Sequence, residues 1–329
     1  MNRKLRTLII ILMAVAGIGL FAYPAFSNYL FEQNASKAAE NYDQVVEQAD
    51  PAKLEQALVE AIKYNEGLAG NPVHDPFLKG SGMALGENYM LALNLDGRGI
   101  MGYVSIPKIG VRLSVRHGTS DAVLQNSTGH LEGSSLPIGG PGCHSVITGH
   151  TGLAHAKMFT DLARLREGDM FYLRILGETL AYQVDQVKVV LPEVISDLER
   201  VPDKDYCTLL TCTPYGINSH RLLVRGERVP YVEEDEQKLI AESRAMPQWF
   251  TGWNVIIGAT VGLVFALAVI LLFLLKRKRE KEEERRTPPQ PIVEGSENPW
   301  ELPVLQALPV GGKKKRRRRG KKPRYWWDE

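Results

Sequence analysis

Hydrophobic and polar positions along this chain follow several different rhythms. Residues 8–26 are an almost unbroken apolar run, and residues 254–275 are a second. Each holds about 20 residues, enough for a helix to cross a hydrocarbon layer of roughly 30 Å. Between the two runs the pattern changes twice. Residues 34–70 are rich in Glu and Ala, with apolar positions at Leu54, Leu58, Ala61 and Ile62. That spacing predicts a helical region, closed by Gly67-Leu68-Ala69-Gly70-Asn71-Pro72. A polar, glycine-containing loop follows at 71–94. From residue 102 short apolar or alternating runs take over, at 103–106, 111–115, 145–148, 170–176, 180–190, 206–212 and 221–229. Turn sequences such as Pro107-Lys108-Ile109-Gly110 and Gly139-Gly140-Pro141-Gly142 separate them, as in an antiparallel-rich barrel or sandwich. Two brief helices are predicted near 121–126 and 158–165, and Pro230 ends the core. No internal repeat is visible.

Charge gives these segments a direction. Arg3, Lys4 and Arg6 precede the first apolar run, and Lys276, Arg277, Lys278 and Arg279 follow the second. Basic flanks on the outer side of both runs put both termini in the cytoplasm and everything between them outside. The predicted order is a cytoplasmic N-terminus (1–7), a transmembrane helix or signal anchor (8–26), a membrane-proximal helical region (27–70), the loop (71–94) and a β-rich core (95–232). A polar connector (233–253), a second transmembrane helix (254–275) and a basic cytoplasmic tail (276–329) complete it. A cleaved signal peptide is the competing reading of the first run, with Ala25 and Ser27 as small residues near a cleavage point. Against it stand the length of the run and an interfacial pair, Tyr23 and Pro24. The middle of the chain is extracytoplasmic under either reading.

At 329 residues and 44% hydrophobic content, the chain can fill one sizeable core and have length left over. Its net charge of +2 hides an asymmetry. Residues 311–329 hold ten Lys or Arg against Asp328 and Glu329, a net +8, which leaves −6 for the rest. The core is therefore no basic, nucleic-acid-binding surface. The Glu- and Pro-rich stretch 280–309 between the second run and this tail is predicted to be disordered. The tail itself suits anionic lipid, at about 1 kcal/mol per basic residue near the surface, or a partner at a secretion site. A solvated tail that only fixes topology is the plain alternative.

The candidate chemistry lies near residue 210. An apolar, β-prone run ends at Cys212, a polar turn with Pro214, Gly216 and Asn218 follows, and a second run starts at Arg221. In such a hairpin the two residues share one end of a sheet, a few strand spacings of about 4.8 Å apart. An ordinary thiol, with a pKa of about 8.5, is mostly protonated at neutral pH, so a nucleophilic Cys212 needs a cation or a base. Arg221 supplies charge and a fork of donors for a carbonyl or an oxyanion. Histidine is the usual acid and base. Two of the seven histidines sit in the same tripeptide, Thr128-Gly129-His130 and Thr148-Gly149-His150. His150 closes a strand-like run as Cys212 does, whereas His130 is read amid loop residues; spacing alone leaves both open. His220 is disfavoured because alternation sends it to the face opposite Arg221. No CxxC or finger-like Cys/His spacing exists, so no metal is predicted, and no motif calls for a cofactor.

Thr211-Cys212, followed by Pro214-Tyr215-Gly216-Ile217-Asn218 and His220-Arg221-Leu222-Leu223-Val224-Arg225-Gly226, with Thr148-Gly149-His150 upstream, resembles the class C, pilin-polymerising sortases of Gram-positive bacteria. The match spans roughly residues 102–231, and Gly129-His130-Leu131-Glu132-Gly133 and Ser135-Leu136-Pro137 add to it. The resemblance implies a mainly β fold: an eight-stranded sortase barrel with short helices, an N-terminal helical region and two flanking transmembrane helices. It selects His150, with Cys212 ending a neighbouring strand and Arg221 beginning the next. Cys212 would attack the Thr-Gly bond of an LPXTG-like sorting signal and His150 would protonate the leaving amine. Arg221 would hold substrate and developing charge, and a pilin lysine would resolve the thioacyl enzyme into an isopeptide-linked polymer. Asp75-Pro76-Phe77 is similar to the family's lid motif, which pairs Asp75 with Arg221 and lays Phe77 over Cys212; an ordinary surface turn is the alternative. The two other cysteines depart from the family pattern. If their strands are parallel neighbours, as the sortase barrel implies, a disulfide between Cys143 and Cys207 is geometrically open, and buried free thiols are the simpler reading. Competing functions are a sortase that anchors surface proteins to peptidoglycan, an L,D-transpeptidase or papain-like hydrolase, and a non-catalytic membrane-tethered binding module.

Overall fold

A computed structural model of the chain describes residues 3–68, 74–77, 86–194 and 196–245, with scattered helical positions between 258 and 285. Two compact units, Met1–Leu272 and Phe273–Glu329, divide it. The second is described only at helical positions 273–279, 281–282 and 285, so the predicted tail lies mainly outside the described residues.

Helix α1, Arg3–Gln48, continues past Pro24 and the predicted end of the span at residue 26. Its parts Leu5–Leu20 and Ala22–Gln48 meet at 41°. Proline explains the bend, because its ring displaces the carbonyl four residues earlier, that of Leu20, and leaves it without a donor. Among the described residues no single helix is long and apolar enough to cross a membrane, whereas this bent pair together is. Apolar side chains along its first part are exposed, Leu20 at 77%. Gly262, in the second apolar run, lies against Ile18; a Cβ there would stand 3.2 Å from Ile18 Cγ1.

The predicted helical region is two helices instead of one. Helix α2, Pro51–Gly67, starts afresh because Asp50 accepts from Ala52 N–H at 3.0 Å and Pro51 occupies the first turn, where its missing N–H costs nothing. The chain then reaches the barrel through α3, Glu87–Leu91, inside what reads as a loop. Tyr89 of α3 is buried against the barrel, which explains a helix in a segment without apolar periodicity.

Eight strands close the barrel in the order β1-β2-β3-β4-β7-β8-β6-β5. They are β1 Ile100–Ile106, β2 Val111–His117, β3 Thr128–His130, β4 Cys143–Thr148, β5 Met170–Ile175, β6 Glu178–Val190, β7 Asp205–Thr213 and β8 His220–Val229. Seven correspond to the runs read from the pattern. The eighth, β3, is only three residues long and carries His130, which had been read as loop. It pairs parallel with β2 and antiparallel with β4, so the tertiary structure makes this strand rather than its own alternation. β4 and β7 are the other parallel pair. A short helix α4, Asp121–Leu124, precedes β3, and a 3₁₀ turn at Leu162–Arg164 follows β4. The predicted polar connector begins as helix α5, Glu233–Ala245. Its acidic first turn suits the positive end of the helix dipole, and the buried Glu236 accepts from Arg174 of β5 at 2.6 Å.

Aromatic side chains fill the barrel. Phe171 and Tyr182 stack at 5.4 Å between ring centres, and Phe159, Leu173, Leu209 and Val224 are fully buried around them. Helix α1 is stitched to this core by Tyr42, whose hydroxyl donates to Met101 O at 2.8 Å and accepts from Leu176 N–H at 2.9 Å. On α2, Asn65 pairs with Leu136 as a strand would, accepting its N–H at 2.7 Å and donating to its carbonyl at 3.2 Å.

Candidate active site

Cys212 and Arg221 are cross-strand partners in the β7–β8 hairpin, so both side chains leave the same face of the sheet. The parallel register of β4 against β7 pairs Thr148 with Leu210. Beyond the strand the pairing continues: Gly149 N–H donates to Leu210 O at 3.1 Å, and Thr211 Oγ1 donates to Gly149 O at 2.7 Å. Two residues further along each strand, His150 comes level with Cys212. Sulfur, imidazole and guanidinium thus converge at one end of the barrel. Thr211 was quoted in the sequence motif without a job; its hydroxyl fastens the peptide that carries His150.

Asp75-Pro76-Phe77 closes over this end. Asp75 Oδ1 accepts from Phe77 N–H at 2.8 Å, a tight turn around a proline that has no N–H of its own. Its other oxygen, Oδ2, faces Arg221 Nε at 2.8 Å in a buried ion pair without the alignment of a hydrogen bond. Arg221 Nη1 donates instead to Asn218 O and His220 O, each at 3.1 Å. The Phe77 ring lies 5.4 Å from the His150 ring and under the Arg221 guanidinium, whose Cζ is 5.2 Å from the ring centre. It also packs on Leu131, Val146, Val190, Leu198, Leu210 and Leu223. Beside it, Val190, Pro192, Val194, Leu198, Leu210 and Leu223 line a hollow of only about 10 Å³, next to Asp75 and Arg221. The segments on either side of 74–77, residues 69–73 and 78–85, lie outside the described residues.

Cys143 and Cys207 are both free and buried, so the bridge left open above does not exist. Their strands are indeed parallel neighbours, but Cys143 pairs with Asp205, and Cys207 pairs with Ser145. A two-residue offset combined with one strand spacing separates their Cα atoms by about 8 Å, beyond disulfide reach. The Cys143 thiol donates to Gly139 O at 3.2 Å, and Cys207 lies in the barrel core.

Residues 104–229 match the family described as the sortase domain. A sortase C-1 from Streptococcus pneumoniae is 47% identical, in a match covering 60% of this chain and 100% of that one, with a TM-score of 0.55. The chain belongs to the sortase family. A sortase C-1 from Actinomyces oris is 46% identical over 55% of this chain and 100% of its own, TM-score 0.52. A pilus-related sortase C of Group B Streptococcus is 42% identical over 59% of this chain and 97% of its own, TM-score 0.55. Among curated proteins, a sortase A from Bacillus anthracis is 28% identical over 69% of this chain and 96% of its own length. Its solved neighbours make this sortase a class C member, and its family makes it a cysteine transpeptidase.

Electrostatics hold this sortase's site at rest. Burial raises the Cys212 thiol to about 11; Arg221 pulls it down and Asp75 pushes it up again. Burial likewise lowers the His150 imidazole, against the opposing pull of Asp121. Near neutral pH the pair is therefore an uncharged thiol beside an uncharged imidazole, and neither group is ready to react. Asp75 pairs with Arg221, the guanidinium that lowers the thiol, and Phe77 covers the apolar surface next to it. Freed of both, the same three groups can deliver a nucleophile, a proton carrier and an anion-stabilising fork.

Proposed function

We propose that this sortase is a membrane-anchored pilin polymerase in which Cys212, His150 and Arg221 carry the reaction and Asp75 and Phe77 form the lid. Opening removes Asp75 from Arg221 and Phe77 from the apolar hollow, which then accepts the Leu-Pro part of an LPXTG-like signal. Cys212 passes its thiol proton to His150, the resulting thiolate attacks the Thr carbonyl carbon, and the oxyanion that forms lies by the Arg221 guanidinium. The Thr–Gly C–N bond breaks as protonated His150 gives its proton to the leaving glycine amine. His150, now neutral, takes a proton from the attacking lysine amine of another pilin subunit. The C–S bond then breaks, Cys212 is regenerated, and an isopeptide bond joins the subunits. The single observation behind this reading is the buried Asp75–Arg221 pair directly across the sheet from Cys212. It places a carboxylate against the cation beside Cys212 while the same turn covers the site. The pilin substrate is favoured by the pilus-related sortase C relative.

Two membrane spans flank the catalytic barrel in this reading, with both termini cytoplasmic and the basic tail on anionic lipid. The bent apolar pair in α1 and the contact of Gly262 with Ile18 favour it.

Incubating the full-length chain in detergent with an LPXTG-containing peptide should give a thioester adduct at Cys212 by mass spectrometry. Adding a lysine-bearing pilin should then convert the adduct into an isopeptide product. An adduct that forms equally on a Cys212→Ala chain, or none at any lid state including Asp75→Ala, would refute the reading.

A further inference from the structure

His150 is held almost wholly through its backbone. Its Nε2 is buried without a hydrogen-bond partner, and the Phe77 ring beside it departs with the lid. On one side of the histidine, Gly149 is tied to β7. On the other, Phe159 N–H donates to His150 O at 3.1 Å and closes the loop 150–159.

Within that loop Met158 sits at φ +41°, left-handed for a residue with a side chain, and is 2% exposed. Such a conformation persists only where its surroundings hold both neighbours. Phe159 is held by the His150 carbonyl. Lys157 is held by α1: its N–H donates to Asn28 Oδ1 at 2.7 Å. Two further contacts from the same turn of α1 reach the loop. Ser27 Oγ donates to His155 O at 3.3 Å, and the Phe31 and His155 rings meet edge to face at 6.4 Å. Asn28 Nδ2 donates within its own helix to Glu32 Oε1 at 2.9 Å, which leaves the amide oxygen turned to the loop. Asn28 is the second residue past the apolar run 8–26.

We propose that Asn28 is a positioning residue for His150, so that the seating of the membrane-proximal turn of α1 on the barrel sets how the imidazole meets Cys212. The chain of contacts is short: Asn28 fixes Lys157, Met158 is trapped in its strained conformation between Lys157 and Phe159, and Phe159 fixes the His150 carbonyl. The anchor helix is then part of the active site's support rather than a tether alone. This inference rests on His150 acting as acid and base.

Steady-state transpeptidation by the full-length chain in detergent tests it, each variant carrying Phe77→Ala so that lid opening does not limit the rate. Asn28→Leu keeps the volume and loses the acceptor. It should lower kcat about ten-fold with KM within about two-fold, since small misplacements of a catalytic group act on the chemical step. The limb of the pH profile set by His150 should move up toward the ordinary imidazole value as the loop loosens. Asn28→Asp with Glu32→Gln restores the acceptor without pairing two carboxylates, and should recover kcat and the pH limb to within about two-fold. An unchanged kcat in Asn28→Leu overturns the proposal. So does a loss that the Asp variant fails to recover, or a loss with an unmoved pH limb. Should His150→Ala in the same background keep turning over, the assignment of His150 fails instead, and the two failures are told apart.

Discussion

Two copies of one tripeptide lie side by side in this barrel. Thr128-Gly129-His130 forms β3 and Thr148-Gly149-His150 ends β4, and the two strands pair antiparallel with Gly129 opposite Thr148. In the first copy every side-chain polar atom is satisfied. Thr128 Oγ1 donates to Ser114 O at 2.8 Å, His130 Nε2–H donates to Ser135 O at 2.8 Å, and Nδ1 accepts from the Tyr89 hydroxyl at 2.9 Å. In the second, Thr148 Oγ1 and His150 Nε2 are buried without partners. Both glycines are required, for different reasons. A Cβ at Gly129 would stand 2.2 Å from Gly118 O, and one at Gly149 would stand 2.8 Å from Phe159 Cδ2. Burial lowers both imidazoles, His130 to about 4. The lesson is that the motif does not choose the reactive histidine. A histidine inside a ladder is consumed by the fold, whereas one just past a strand end keeps a nitrogen free. Unsatisfied buried polar atoms cluster where function is held in reserve.

The widest separation of the two copies comes from alanine at each. His150→Ala should abolish transpeptidation, a loss of about a thousand-fold or more for removing an acid and base that serves both half-reactions, with little change in unfolding temperature. His130→Ala should do the reverse. It opens a cavity and leaves the Ser135 carbonyl without its imidazole donor, costing about 3 kcal/mol of stability while the folded fraction keeps its rate constants. Activity and denaturant melts on both variants decide this, and an inactive but fully stable His130→Ala would reverse the assignment.

Acid should sharpen the same contrast at a smaller amplitude. His130 stays neutral in the folded protein down to about 4, whereas an unfolded imidazole takes up a proton near 6.5. The unfolded state binds more protons between those values, so this group's contribution is complete above about pH 6.5 and is lost as pH falls through about 4. The full amplitude is about 3 kcal/mol on that difference. Tyr89, Ser134, Ser135 and His117 surround the ring and supply no carboxylate to offset it. Urea melts of the wild type from pH 7 to 4 should therefore steepen downward, and those of His130→Ala should run flatter over the same range. Parallel curves would show that the loss belongs to another group.

Much of this was legible from residues. The turn sequence after Cys212 dictates a hairpin, and a hairpin sets Arg221 across from the thiol. The preference for His150 over His130 was legible in part, since His150 closes a strand-like run and the resemblance selects it. That His130 is itself in a strand was not, because β3 is a three-residue strand that exists only by pairing with β2 and β4. Helices α3 and α5 were missed for the same reason: single buried anchors, Tyr89 and Glu236, hold them rather than an apolar stripe. The break between α1 and α2 did carry a local signal, Asp50 before Pro51, which the smooth Glu/Ala pattern concealed. The fate of Cys143 and Cys207 depends on a register offset of two residues, which spacing along the chain does not encode.

The smallest effect concerns the lid, which touches one copy and not the other. Phe77 covers His150 and packs near Arg221, while His130 lies beneath Tyr89 of α3. Phe77→Ala should hydrate Cys212 and bring its thiol down from about 11 toward the ordinary range. Thiolate content at pH 8 grows ten-fold for each unit of that fall, so iodoacetamide should label Cys212 about ten-fold faster or more. Asp75→Ala should act in the same direction for a different reason. It uncovers Arg221 as well as the pocket, so its rate should fall with added salt toward that of Phe77→Ala as the freed cation is screened. Both variants should unfold more easily, since Phe77 packs on a buried cluster and Asp75 neutralises a buried Arg221. The acid dependence of the transition should stay that of the wild type, because His130 and its partners are untouched. Labelling rates that match the wild type in both variants would mean that 74–77 is a surface turn and that the buried resting state of the thiol has another origin.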